Sequence, residues 1–264
     1  MNPRKLQPGP LVATLMMAAI VLLPAIAHGA QDSPSPPAPP PQHKEIPPEQ
    51  RADIFMARKS YADAADYYYR ALKQASFKDA ALWNKMGIAL QQANKFRSAR
   101  QAYNKATHVD PNFAEAWNNL GTVYFMANKY GKSVSLYQRA IKLKSDTAAF
   151  HMNLGTSYYH LKKFDKAVEE YRTALGIDPR AAIQQSALGT TIHAGGTDPA
   201  FYFCMAKAYA SVGNAEDAVR YLRRSMEDGY GSPQQISEDP DFKKISQYPA
   251  YIELMQNPPV AIKN

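Results

Sequence analysis

A single cysteine, Cys204, in 264 residues excludes an intramolecular disulfide, a C-x-x-C redox pair and a cysteine-based zinc site. The thirteen glycines include no G-x-G-x-x-G or G-x-x-x-x-G-K-[ST] run, so no familiar phosphate-cradling loop is present. The six histidines never take an H-x3-H or H-E-x-x-H spacing, and no metal or other cofactor is expected. Paired carboxylates and Ser/His/Asp sets are missing too, and Cys204 sits among Phe201, Phe203 and Met205 with no base assigned to it. The chain reads as no enzyme. Lysine and arginine outnumber aspartate and glutamate 31 to 23. The excess reads as scattered, its densest runs being Lys142-Leu-Lys144, Lys162-Lys163 and Arg223-Arg224, each a solvated helix face. No nucleic acid is expected as a partner; an anionic envelope surface stays open.

Residues 1–30 have the layout of a secretory signal: Arg4 and Lys5, an apolar run Leu11 to Ile26, then small residues. About 16 apolar residues at ~1.5 Å each fall short of a ~30 Å bilayer core. The reading is therefore an exported, periplasmic or secreted chain, the alternative being an uncleaved N-terminal anchor that keeps it near a membrane. Residues 31–48, with Ser33 to Pro41 almost all proline, form an extended spacer.

The remainder repeats with a step of 34. Gly87, Gly121 and Gly155 keep it, as do Tyr103, Tyr137 and Tyr171, and Ala106, Ala140 and Ala174. Trp83 and Trp117 share it, with His151 in the third slot. Inside a unit, Trp117, Leu120, Gly121 and Tyr124 lie on one helical stripe, and after a break at Asn128-Lys129 the pattern resumes over Val134, Tyr137, Ala140 and Ile141. Each unit is thus a helical hairpin that buries its faces only by stacking on its neighbours. Glycine inside a helix costs about 1 kcal/mol relative to alanine, so Gly121 predicts a close approach of the two helices.

The pattern W-x2-L-G-x2-Y…A-x3-F…P over 34 residues resembles the tetratricopeptide repeat. It divides the chain into a degenerate first unit over 49–79, units at 80–113, 114–147 and 148–181, an inserted loop at 182–198, a degenerate unit at 199–232 and a C-terminal cap and tail at 233–264. The resemblance implies an all-α, right-handed superhelical solenoid of about five hairpins with a helical cap. It also implies that the first helices line an inner wall where a protein or peptide partner docks. Candidate contact residues on that wall are Asn84, Lys85, Gln91, Asn118, Asn119, Thr122, Phe125, Met126, Asn153, Thr156, Tyr159 and His160. The asparagines could hold an extended peptide backbone or simply pack against the next helix. The expected function is a non-catalytic docking module of the cell envelope; the alternative is an assembly factor acting through outer faces or the cap. The partner and the oligomeric state are not legible.

Overall fold

The computed structural model describes residues 45–182 and 198–261. The signal, most of the spacer and all but the ends of the 182–198 loop, His193 included, lie outside the described residues. Among the described residues the chain is helical, with no strand. Five hairpins follow one another: α1 (Pro48–Ala57) with α2 (Tyr61–Gln74), α3 (Ala80–Gln92) with α4 (Phe96–Val109), α5 (Ala114–Met126) with α6 (Tyr130–Leu143), α7 (Ala148–His160) with α8 (Phe164–Ile177), and α9 (Pro199–Ser211) with α10 (Ala215–Glu227). Each first helix packs on its own second helix and on the second helix of the hairpin before it. Lighter contacts join α3 to α5 and α5 to α7.

Every hairpin turns by the same device. Lys59, Asn94, Asn128, Lys162 and Gly213 hold positive φ, and the following amide reaches back five residues, as in Lys95 N–H to Leu90 O at 2.8 Å and Lys129 N–H to Tyr124 O at 2.9 Å. This is the Schellman closure, which satisfies carbonyls left over at a helix end.

The glycine step has a steric cause. A Cβ on Gly87, Gly121 or Gly155 would come within 2.5, 2.7 and 2.7 Å of the rings of Tyr103, Tyr137 and Tyr171. Those rings are completely buried. Burial pushes their phenols well above the ordinary range, so each keeps its proton and shares it with the first helix: Tyr103 donates to Gln91 at 3.1 Å, Tyr171 to Thr156 at 3.3 Å, and Tyr137 pairs with Thr122 at 3.1 Å. In the fifth hairpin the equivalent slots hold Ala206 and Leu222, both fully buried. There a larger residue at the glycine slot goes with a smaller one at the tyrosine slot.

The slot of Trp83, Trp117 and His151 also has one job. Each side chain is held by the carbonyl six residues earlier: Trp83 donates to Phe77 at 3.1 Å, Trp117 to Pro111 at 2.9 Å, and His151 Nε2 lies 3.1 Å from Ser145 O. These carbonyls are themselves 34 residues apart, so the ring fastens each helix to the turn that leads into it. The two tryptophans and Tyr124 are only half-buried, although they share a stripe with Leu120 and Gly121.

The tail covers the end of the stack. Pro233, Pro240 and Pro249 open α11 (Pro233–Glu238), a 3₁₀ turn (Pro240–Ile245) and α12 (Pro249–Gln256), as suits a residue that has no N–H to leave unpaired. Phe242, Ile245, Tyr251 and Leu254 are buried. Lys207 of α9 bridges Asp239 at 2.9 Å and Asp241 at 3.3 Å, and Arg172 of α8 reaches Asp241 at 3.5 Å. The cap is therefore tied to two hairpins by charge as well as by apolar packing.

Candidate functional site

The first helices were expected to turn their amides outward. The structure places Asn84, Asn118, Asn119 and Asn153 in the interior, with Gln91, Thr122 and Thr156. Asn153 Nδ2 donates to Asn118 Oδ1 at 2.9 Å, Asn118 Nδ2 to Asn119 Oδ1 at 3.2 Å, and Asn119 Nδ2 to Asn84 Oδ1 at 2.9 Å. The result is a relay of amides running one way across α7, α5 and α3. The helical-wheel expectation gave the first helix one buried face. In the stack it has a second helix on each side and further first helices beyond, so its polar residues are enclosed and bond to one another. Packing against the next helix, the other reading of these asparagines, is where the side chains lie.

At the N-terminal end the relay gives way to charge. Lys85, in the Asn119 slot one unit earlier, bonds to Glu49 at 2.9 Å and Asp53 at 3.3 Å on α1. Burial works against its positive form, but the two carboxylates outweigh it and raise its pKa. Asp53 also accepts from Tyr68.

At the other end, several candidate residues do meet. His160 stacks on Tyr130 with ring centres 4.7 Å apart and meets Phe125 edge-on at 5.1 Å and Tyr159 at 5.6 Å. Tyr159 continues the contact to Phe201 of α9 at 5.7 Å. Burial first, then the neighbouring Lys162, pull the His160 pKa down against the opposing Asp198, so the ring stays neutral and stacks as an aromatic. Phe125 and Tyr159 are buried. Met126 is 48% exposed and lies one residue beyond Phe125. Tyr130 was not singled out from the sequence. Its signal was the 34-residue step Phe96, Tyr130, Phe164, which opens α4, α6 and α8 with an aromatic.

Met126 also lines a groove of about 560 Å³ with Phe96, Arg97, Arg100, Val123, Tyr124, Ala127 and Lys129. The Arg100 guanidinium lies 5.9 Å from the centre of the Tyr124 ring, within cation–π range.

The remaining reactive groups are accounted for structurally. Cys204 is buried, and burial, opposed by Lys207, pushes its thiol up to about 12, which leaves no thiolate for chemistry. Among the described residues no cluster of His, Cys, Asp and Glu could hold a metal. Nor is any helix there long and apolar enough to cross a membrane.

His151 holds Glu170 at 2.7 Å through Nδ1 while Nε2 faces Ser145 O. Burial lowers its pKa, but Glu170 and the carbonyl outweigh burial and the net shift is upward. A raised pKa makes the pair's stabilisation complete below about pH 6.5 and removes it as pH rises through the folded value. The stability gap between the native chain and His151→Gln, read from denaturant midpoints, is expected to be about 1–2 kcal/mol near pH 6 and to shrink by about pH 8.5. A gap that widens with pH would contradict this.

Stacked hairpins with a spine of buried rings and amides define a helical-repeat scaffold. Sequence comparison names the repeat. The tetratricopeptide repeat model matches residues 84–146 and 127–182, and the chain carries tetratricopeptide repeats over that stretch. Among solved structures, a crystal structure of MamA is similar at 24% identity, covering 67% of this chain and 92% of that one, with a TM-score of 0.50. A second MamA crystal structure gives 22% identity, 76% and 93% coverage and 0.50. MamA from Desulfovibrio magneticus RS-1, residue 41 to its end, gives 17%, 68% and 92%, and 0.50. At these identities the likeness bears on the fold. Among curated proteins, none matches.

Proposed function

We propose that this chain is a non-catalytic docking scaffold, exported to the cell envelope, that takes a peptide or protein partner beside the Phe125–Tyr130–His160 stack. The observation that carries the reading is the exposed Met126, next in sequence to Phe125 of that stack and at the lip of the groove lined by Phe96, Val123 and Tyr124. Rigid aromatic and methionine side chains next to a polar rim are what binding hot spots are made of. The amide relay supports the site from behind by fixing α3, α5 and α7 against one another. The leader-like residues 1–30 support export, and the proline-rich 31–48 would hold the scaffold away from a surface.

Tyr248 and Ile252, exposed on the cap, favour a second reading in which an assembly docks there. A photo-crosslinking amino acid placed at 126 or at 252, in chain produced in the envelope, separates the two. Capture from 126 is expected, and with the photo-crosslinker moved to the neighbouring Ala127, Met126→Asp is expected to cut capture at least tenfold with the melting temperature unchanged within about 1 °C, as for an exposed position. Capture from 252 alone would sink the first reading.

A further inference from the structure

The sequence read the positive charge as scattered, and along the solenoid it is not. Residues 80–164 hold twelve lysines and arginines against three acids, Asp110, Glu115 and Asp146. That is +9, more than the +8 of the whole chain. Two hairpins and the first helix and turn of the next therefore carry the entire excess, and the rest of the protein is close to neutral.

The groove beside Met126 sits within this region. Its floor is Phe96, Val123 and Tyr124, with Met126 at the lip; its charged lining is Arg97, Arg100 and Lys129. Two other cations of this region find acids, Lys85 with Glu49 and Asp53, and Lys144 with Glu115. The three lining cations form no ion pair among the described residues. Like charges gathered around an apolar trough repel one another, and a ligand that brings the opposite sign relieves this while burying apolar surface.

We infer that the partner docks through an acidic, amphipathic peptide segment, its apolar side chains on Tyr124 and Met126 and its carboxylates on Arg97, Arg100 and Lys129. This rests on the docking reading above and names the chemistry of its partner. A bare polyanion would use the charged lining and leave the floor idle. An apolar peptide would leave that lining uncompensated.

The test uses the full chain and a fluorescein-labelled ten-residue peptide of alternating Glu and Leu, with its Gln isostere, an oligothymidine and vesicles one-third anionic phospholipid as comparisons. At about 50 mM salt the acidic peptide should bind at least tenfold tighter than the isostere, and this gap should narrow toward about 500 mM as screening sets in. Arg97→Gln with Arg100→Gln should weaken the peptide at least tenfold, and Met126→Ser should weaken it with little effect on oligothymidine. Undetectable peptide binding, equal binding of the isostere, or vesicles and oligothymidine bound as tightly as the peptide would each overturn the inference. Crosslinking from 126 to a partner whose captured segment is neutral would overturn the acidic chemistry and leave the docking reading standing. Loss of crosslinking at 126 with peptide binding intact would do the reverse.

Discussion

Gly121→Ala is expected to destabilise the chain by about 2–3 kcal/mol, a fall in melting temperature on the order of 5–10 °C. One methyl group is enough because its carbon would stand 2.7 Å from the Tyr137 ring. That ring is fully buried, and its hydroxyl is held by Thr122, so it cannot swing aside without breaking a second contact. The fifth hairpin shows how the crowding is relieved, with Ala206 at the glycine slot and Leu222 at the tyrosine slot. Gly121→Ala combined with Tyr137→Leu should therefore cost less than the sum of the single changes, by about 1 kcal/mol or more in a double-mutant cycle. Strict additivity would show that the glycine serves something other than the ring.

Asn118→Ala has the second-largest expected effect, about 2–3 kcal/mol. It takes the acceptor from Asn153 and the donor from Asn119 in one change, inside an interior where lost hydrogen bonds are not replaced by water. Asn118→Asp tests the direction of the relay. It keeps the size and the acceptor for Asn153 but sets a buried carboxylate against the carbonyl of Asn119, and should cost at least as much. Chemical denaturation of both variants at neutral pH decides this; an Asn118→Ala protein as stable as the native one would mean the relay contributes nothing.

The hairpins were legible because four residue classes kept one period, and three of them have a steric or hydrogen-bonding reason now visible: the glycine under the tyrosine ring, and the tryptophan slot tied to a carbonyl six residues back. The terminal prolines at 233, 240 and 249 were legible too, since proline suits the first turn of a helix and cannot continue its interior. The wall was harder to read. A helical wheel assigns faces from one helix, yet residues a period apart lie on adjacent helices of a stack, so Asn84, Asn118, Asn119 and Asn153 were always candidates to meet each other. The bonded pairs are 35 apart, one more than the period, and that offset is set by how neighbouring helices slide in packing. The groove charge escaped for another reason. Adjacent basic residues were sought along the chain, whereas Arg97, Arg100 and Lys129 come from α4 and the turn after α5.

The 35-residue rung has a consequence for the length of the molecule. Asn153 stands one full period after Asn119, so excising 114–147 would bring it opposite Asn84 with the same donor facing the same acceptor, and the seam would close without any substitution. A wall that joins to itself across a missing piece lets whole hairpins be gained or lost, while the charged rung of Lys85, Glu49 and Asp53 is carried along unchanged.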